Sequence, residues 1–207
     1  MTKTADDDAA EALAEREFWD AATPLHVWGT NPAEGLEASL SAIHAGLDLC
    51  IDAESPRVLE IGCGLGRLLV PLARAHPTWT LYGLDISSVL LSQCRTLVAN
   101  YPNVTLLHSD GRTIPAADMF DAIYSMVVFQ HISRPATAHY LTESFDLLRL
   151  GGIIRFQFVE GTEDTFLNRH WQSPEMIAVL RQIGYEVIGY HHGLIEPNWT
   201  WITARRP

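Results

Sequence analysis

The chain has 207 residues, of which 47% are hydrophobic and 19% charged, a composition typical of a folded globular protein rather than a disordered chain. Its formal net charge of -11 disfavours nucleic acid as a partner, because affinity for DNA and RNA depends on Lys and Arg at phosphates. No apolar run reaches the length of a membrane span, and the acidic N-terminus lacks a signal-peptide core, so we expect a cytoplasmic protein without membrane contact. The three cysteines have no paired spacing and predict neither a disulfide framework nor a zinc site.

The N-terminal quarter predicts helices around a loop. Residues 9–19 are rich in Ala and Glu and favour a short helix, and the Pro and Gly of 23–30 predict a loop or lid. Residues 31–34 resemble a capping box with Pro at the first helical position, and they open a long amphipathic helix over 32–52. We therefore expect residues 1–53 to form a helical lid or cap.

From residue 57 onward, predicted strands alternate with predicted helices. Such an order, joined by right-handed crossovers, gives an open, doubly wound parallel sheet of the α/β class. Two further strands follow with a connection too short for a helix, which predicts an antiparallel finish. The expected sheet is mostly parallel and seven-stranded, with strands at 57–61, 80–85, 104–108, 120–128, 153–159, 185–191 and 200–204.

The pattern is continuous and predicts a single domain over 1–207. Within it, 54–160 would form the ligand-binding core, and 161–207 would supply a last helix and the antiparallel strand pair. In an open parallel sheet, a ligand binds at the carboxyl ends of the strands, where the strand order reverses. We therefore expect the functional residues at that edge of the sheet.

A glycine-rich turn follows the first predicted strand. Gly62, Gly64 and Gly66 stand at alternate positions directly after an apolar run, and a helical pattern resumes behind them. Glycine tolerates positive φ and has no Cβ, so this backbone can lie against a ligand while the next helix directs its free N–H groups at it. The turn predicts a small polar cofactor.

Acidic residues end several of the predicted strands, namely Glu60, Asp85, Asp110 and Glu160. Four carboxylates at the edge of one crevice favour a cationic or hydroxyl-rich ligand over a phosphate-rich one. Asp85 follows the glycine turn by about twenty residues, the spacing at which a carboxylate accepts hydrogen bonds from ribose hydroxyls.

Taken together, the stretch from Val58 to Gly66, Asp85 and Asp110 resembles the class I S-adenosylmethionine-dependent methyltransferases, which have a Rossmann-like fold. The resemblance covers roughly 55–160 and implies that S-adenosylmethionine is the cofactor. By that resemblance Asp85 would hold the ribose, Asp110 and Gly111 would meet the adenine, and Ile86 would pack on it. The remaining residues implied at the cofactor are Glu60, Gly62, Cys63, Gly64, Gly66, Arg67, Met126 and Val127.

Candidates on the acceptor side are fewer. His131 is the best candidate for a general base, because histidine titrates near neutrality and follows the fourth strand. A structural histidine is an equal alternative. Glu160 could orient an amine acceptor. Trp19 and Trp28 lie in the N-terminal segment, which closes over the cofactor or acceptor in similar enzymes, so the resemblance implies that they form an aromatic wall. The scattered histidines predict no metal site.

We expect methyl transfer to N or O of a small molecule, with a protein or tRNA acceptor as the alternative. A nicotinamide dehydrogenase shares the glycine turn and the ribose acid, but its G-x-G-x-x-G spacing is not met by Gly62, Gly64 and Gly66. A protein that binds a nucleoside cofactor without turnover is the third class, since the fold alone does not exclude it. The expected assembly is a monomer or homodimer.

Overall fold

The structure is a computed structural model that describes residues 5–22, 36–47, 53–117, 119–165 and 168–207. The predicted loop at 23–30 lies outside the described residues, and so do both ends of the helix predicted over 32–52. Six helices and eight strands are described. The helices are α1 (Ala5–Asp20), α2 (Leu36–Leu47), α3 (Leu69–Ala75), α4 (Ser88–Leu97), α5 (Arg134–Leu147) and α6 (Ser173–Ile183). The strands are β1 (Arg57–Ile61), β2 (Thr80–Asp85), β3 (Val104–His108), β4 (Phe120–Ser125), β5 (Leu148–Glu160), β6 (His170–Trp171), β7 (Glu186–His192) and β8 (Trp199–Arg205).

The strands form one mixed sheet in the order β3-β2-β1-β4-β5-β8-β7, and the short β6 pairs with β5 outside this path. Strands β1 to β5 pair in parallel, whereas β8 runs antiparallel to both of its neighbours, β5 and β7. The doubly wound, mostly parallel sheet with an antiparallel finish is therefore confirmed. The sheet has eight strands rather than seven, because β6 was too short to be seen in the sequence.

The starts of α4 and α5 agree with the local capping signals. Ser87 accepts a hydrogen bond from the backbone N–H of Leu90 ahead of α4, and Ser133 accepts one from Ala136 ahead of α5. Side-chain caps of this kind satisfy N–H groups that have no partner inside the helix. They place the first turns of α4 and α5 at the carboxyl edge of the sheet.

Several boundaries differ from the sequence prediction, and three of them concern the glycine turn and the central strands. The helix after the glycine turn begins only at Leu69, because residues 64–68 form turns. Strand β4 ends at Ser125 instead of residue 128, since Val127 has a φ of 59° and so leaves the extended conformation. Strand β5 begins at Leu148 and not at residue 153.

Two hydrophobic clusters cover the two faces of the sheet. One contains Tyr140 and Leu141 of α5 and Met176 and Leu180 of α6. The other contains residues of α2, α3 and α4, including Ile43, Leu69, Leu72, Leu91 and Cys94. Burial on both faces explains why the central strands are almost continuously apolar in sequence.

Within the described parts of the chain, no helix is long and apolar enough to cross a membrane. The same residues contain no group of three or more His, Cys, Asp and Glu side chains arranged to hold a metal ion. Cys63 and Cys94 are buried free thiols. Cys50 lies outside the described residues.

Candidate functional site

The glycine turn follows β1 and is hydrogen-bonded to the end of β2. Gly62, Gly64 and Gly66 have φ values of 76°, 51° and 82°, the left-handed region that glycine tolerates best. The N–H groups of Gly62 and Cys63 both donate to the carbonyl oxygen of Leu84, at 2.7 and 3.0 Å. A Cβ on Gly62 would lie 2.1 Å from a side-chain carbon of Val128. The turn is therefore fixed by backbone conformation and by a close approach that only glycine allows.

Asp85 holds this turn from the end of β2. One of its carboxylate oxygens accepts the N–H of Gly64 at 2.7 Å, and the other accepts the N–H of Ser87 at 2.9 Å. The side chain is 8% exposed. Burial raises the pKa of its carboxyl, and the two hydrogen bonds only partly oppose this shift. Each oxygen retains a second lone pair, so Asp85 has acceptor capacity for a ligand hydroxyl.

Glu60 lies buried beneath the turn and accepts the hydroxyl of Tyr124 at 2.8 Å. Burial raises the pKa of its carboxyl from 4.5 to about 8, although the Tyr124 hydrogen bond opposes the shift. Arg67, at the far end of the turn, has its pKa lowered by burial, and the nearby charge of Glu60 acts in the opposite direction. The floor of the site therefore carries acidic groups that a cationic ligand would help to ionise.

These residues belong to one open pocket of about 1040 Å³, a volume that includes its mouth. It lies at the carboxyl edge of β1, β2 and β4, where the order of strands reverses. Most residues that the sequence predicted for the site line this pocket. They are Trp19, Glu60, Gly62, Cys63, Gly64, Arg67, Asp85, Ile86, Gly111, Met126, Val127 and His131.

Helix α1 lines the pocket through Glu15 and Trp19 and is attached to the rest of the protein at two points. Near its C-terminus, Asp20 accepts the hydroxyl of Ser87 at 2.7 Å. Near its middle, the buried Glu15 accepts the backbone N–H of Ser133 at 3.1 Å. Trp19 thereby meets His131 edge to face, with ring centroids 5.4 Å apart. Trp28, predicted to share this wall, lies outside the described residues.

Three predicted site residues do not line the pocket. Gly66 faces helix α4, because a Cβ there would lie 2.9 Å from the sulfur of Cys94. Asp110 is exposed, and its carboxylate accepts the N–H groups of Arg112 and Thr113 at 2.9 and 2.8 Å within its own loop. Of the four acidic groups expected at one crevice, only Glu60 and Asp85 line the pocket.

Glu160 also lies apart from the pocket. Its carboxylate accepts the hydroxyls of Ser173 and Tyr190 and is 3.8 Å from a ring nitrogen of His192. These neighbours belong to α6 and β7, because β5 extends past the pocket and ends beside the antiparallel strands. The acceptor role assigned to Glu160 and the adenine contact assigned to Asp110 remain predictions that this arrangement does not support.

Several lining residues were missed in the sequence. Glu15 had a signal: it stands with Ala12 and Trp19 at helical spacing, so an acidic residue occupies the buried face of α1. Tyr140 had none, because it looks like one more core residue of α5, yet its hydroxyl lies 2.7 Å from Ser109 beside the pocket. The others are apolar, namely Ile61, Leu68, Leu84, Leu90, Val128 and Ile132.

A parallel sheet with a pocket at its switch point, a glycine turn and a buried acid at the second strand defines a class of protein. That class is the Rossmann-like proteins that bind a nucleoside cofactor. A family profile described as "Methyltransferase domain" matches residues 58–152, which span the glycine turn, Asp85 and His131.

Curated relatives agree with this profile. The chain is 37% identical over 127 residues to the ribosomal RNA small subunit methyltransferase C of Shewanella loihica, covering 59% of this chain and 34% of that protein. It is 32% identical over 155 residues to a ubiquinone biosynthesis O-methyltransferase of Dinoroseobacter shibae, covering 70% of this chain and 58% of that protein. The chain thus spans between a third and three fifths of the length of these two relatives.

Solved structures show the same fold at low identity. The 4+2 cyclase SpnF superimposes with a TM-score of 0.78 at 18% identity, covering 95% of this chain and 97% of that one. The magnesium protoporphyrin IX methyltransferase of Synechocystis, solved with bound S-adenosylmethionine, has a TM-score of 0.74 at 14% identity over 95% of this chain and 97% of that one. The methyltransferase profile, the curated relatives and the shared fold support the resemblance to the class I S-adenosylmethionine-dependent methyltransferases that the sequence shows.

Proposed function

We propose that this protein transfers the methyl group of S-adenosylmethionine to a nitrogen or oxygen of a small molecule. The observation that carries the proposal is the buried carboxylate of Asp85, which fixes the glycine turn through Gly64 and lines the pocket at the same time. Bound there, S-adenosylmethionine supplies an electrophilic methyl group on a positively charged sulfur. We further propose that residues 1–207 act as one domain.

The residues of the turn suit this cofactor chemically. Asp85 accepts the ribose hydroxyls, while Ile86 and Gly111 flank the adenine. Glu60 lies beneath the amino acid end, where the positive charge of the ligand would lower its pKa and favour the carboxylate. Arg67 provides positive charge for the carboxylate of the ligand. The pocket holds both signs of charge, as a ligand with ammonium, carboxylate and sulfonium groups requires.

The protein's main contribution to an in-line displacement is to align the acceptor's lone pair with the methyl carbon and to exclude water. Trp19 and His131 form the wall opposite the turn, where an acceptor would enter. His131 either takes a proton from the acceptor or holds it by a hydrogen bond. Helix α1, attached through Glu15 and Asp20, closes this side against solvent.

A small acceptor is supported by the net charge of -11, which gives no nonspecific attraction to a polyanion. The ubiquinone O-methyltransferase relative is consistent with it. The ribosomal RNA methyltransferase relative favours a second candidate, an RNA acceptor. Filter binding of the protein to structured RNA at about 0.15 M salt separates the two, and submicromolar binding would favour RNA.

Titration calorimetry tests the proposal directly. S-Adenosylmethionine and its demethylated product should bind at micromolar concentrations, and NAD should not bind. A panel of phenols, amines and heterocycles with methyl-labelled cofactor then identifies the acceptor class. Comparable affinity for NAD would overturn the assignment, and cofactor binding without transfer to any acceptor or to water would favour a non-catalytic binding protein.

A further inference from the structure

A chain of side-chain amides runs from the pocket wall into the sheet and back to His131. The backbone N–H of Val127 donates to Oε1 of Gln157 at 3.0 Å. Nε2 of Gln157 donates to Oε1 of Gln130 at 2.9 Å. Nε2 of Gln130 then lies 3.3 Å from Nε2 of His131. Four groups from two segments of the chain are thereby connected in series.

The direction of every bond in this series follows from its first member. A backbone N–H can only donate, so the amide of Gln157 must present its oxygen to Val127 and its NH2 group to Gln130. Gln130 must therefore present its oxygen to Gln157 and its NH2 group to His131. Nε2 of His131 is then an acceptor, and the proton of the neutral ring resides on Nδ1.

The first bond of the series also holds an unusual backbone. Val127 has a φ of 59°, the only positive value among the described residues other than glycine. For a β-branched residue this conformation is strained and persists only where the surroundings fix it. The amide that fixes it is fully buried on β5, opposite Trp201 of β8. The side chain of Gln157 cannot rotate freely to another partner.

We propose that Gln157 is a positioning residue that sets the tautomer and orientation of His131 while it fixes the Val127 turn against the cofactor. The proposal rests on the proposed function, because His131 matters only if an acceptor enters beside it. Gln157 does not line the pocket. Its influence on methyl transfer passes through Gln130.

The inference predicts a reversal of polarity that a merely structural role would not produce. In Gln157→Glu, the ionised carboxylate still accepts the N–H of Val127, but it can only accept from Gln130. The amide of Gln130 must then turn over and present its oxygen to His131, so Nε2 becomes protonated. When the introduced carboxyl is protonated it can donate again, and the original tautomer returns.

Nitrogen-15 NMR of the histidine side chains in the cofactor-free protein tests this, since protonated and unprotonated ring nitrogens have well separated chemical shifts. The His131 signals are assigned by their loss in His131→Asn. We expect unprotonated Nε2 in the parent protein and protonated Nε2 in Gln157→Glu at pH values where the introduced carboxyl is ionised. Gln182→Glu, an exposed change on α6, should leave the signals unchanged.

A second variant guards against misfolding of the first. Gln130→Glu leaves the Val127 to Gln157 bond intact and also offers His131 only an acceptor, so it should give the same protonated Nε2. Folded Gln157→Glu and Gln130→Glu proteins that both keep the parental tautomer would overturn the proposal. So would a parent protein with the proton on Nε2.

Steady-state kinetics links the assignment to function. We expect Gln157→Glu to lower kcat about tenfold or more, with cofactor affinity within about threefold of the parent, because the positioned group faces the acceptor. An inverted tautomer with unchanged kcat would overturn the positioning role. If the parent transfers no methyl group, the proposed function fails, whereas the tautomer measurement still stands or falls by itself.

Discussion

The two sides of the pocket are built in different ways. The side proposed to hold the cofactor, called the cofactor side, consists of residues 60–67, Asp85 and Ile86. It is mainly backbone, a glycine turn bonded to β2 through Leu84 and Asp85. The side proposed to face the methyl acceptor, called the acceptor side, consists of Glu15, Trp19 and residues 128–131. It is mainly side chains from separate segments, joined by bonds such as that between Glu15 and Ser133. Backbone geometry tolerates few substitutions, whereas side chains can be exchanged individually. The difference suits a fixed cofactor and a variable acceptor.

The largest effect is expected where the cofactor side is most tightly packed. Gly62→Ala places a methyl group 2.1 Å from a side-chain carbon of Val128 at a φ of 76°. Strain and overlap together should lower the free energy of unfolding by about 2 to 5 kcal/mol and abolish cofactor binding. Urea unfolding and calorimetry measure the two effects.

Gly151→Ala is the matched control for Gly62→Ala. Gly151 has a φ of 80°, but a Cβ there meets nothing within 4 Å. The free energy of unfolding of Gly151→Ala should fall only by the backbone strain, about 1 to 2 kcal/mol, and its cofactor affinity should be unchanged. Equal losses in the two variants would show that close packing on Val128 contributes nothing.

The buried acid of the cofactor side should make stability depend on pH. Glu60 keeps its proton in the folded chain up to about pH 8, whereas it ionises near its ordinary value of 4.5 when unfolded. Between these two pH values the folded state binds more protons than the unfolded state. The protonation of Glu60 therefore stabilises the fold fully at low pH, and this stabilisation is lost as the pH rises from about 4.5 to about 8. The free energy of unfolding of the parent, relative to Glu60→Gln, should fall by about 1.4 kcal/mol per pH unit.

Urea titrations of both proteins between about pH 5 and about pH 8 measure this difference, and parallel profiles would contradict it. Tyr124→Phe sharpens the test. The hydroxyl of Tyr124 lowers the pKa of Glu60, so its removal should raise that pKa further and extend the window towards higher pH.

Asp85, the proposed ribose acid, should contribute more to cofactor affinity than Asp110, the acid after β3. Asp85→Asn replaces an acceptor with an NH2 group that would face a backbone N–H of Gly64 or Ser87. Cofactor affinity should fall about 10- to 100-fold by calorimetry. Asp110→Asn should change it by less than about threefold, because that carboxylate is engaged within its own loop. A comparable loss in Asp110→Asn would restore the predicted adenine contact.

A smaller effect is expected on the acceptor side. Trp19→Ala removes the ring that packs against His131 and should raise the KM of the acceptor up to about tenfold, since aromatic pairs contribute about 0.5 to 1.5 kcal/mol. The affinity for S-adenosylmethionine should change little, and Trp19→Phe should retain most of the parental KM. A change confined to cofactor affinity would move Trp19 to the cofactor side.

The smallest effect should come from Glu160→Gln. The carboxylate of Glu160 bonds to Ser173 and Tyr190, away from both sides of the pocket. Turnover in a coupled methyltransferase assay should stay within about twofold of the parent, as for other substitutions remote from a site. A kcat loss above about tenfold in a folded variant would support the predicted catalytic role instead.

The cofactor side could be predicted from sequence because its signals are local. The limits of β1, β2 and β3 agree with the predicted strands, since each is a short run between clear turn signals. The position of Asp85 at the pocket was predicted from its distance to the glycine turn. Gly66 was misplaced because sequence spacing does not show whether a glycine faces a ligand or, as here, a cysteine of α4.

The acceptor side could be predicted only in part because its contacts are distant in sequence. The bond from Ser133 to Glu15 joins residues 118 positions apart, and no local pattern identifies such a pair. The run from Met126 to Val128 looked like the continuation of a buried strand. It is apolar because Met126, Val127 and Val128 line the pocket.

The position of β8 has a consequence for synthesis on the ribosome. Strand β5 occupies the interior of the sheet and is buried over most of its length, yet one of its two edges is covered only by β8, the last strand of the described chain. Until Trp199–Arg205 emerges, the edge of β5 that pairs with β8 stays unpaired in the nascent chain. An unpaired edge of a largely apolar strand is a template for aggregation. Premature release of the polypeptide before that point therefore exposes the middle of the sheet rather than its rim.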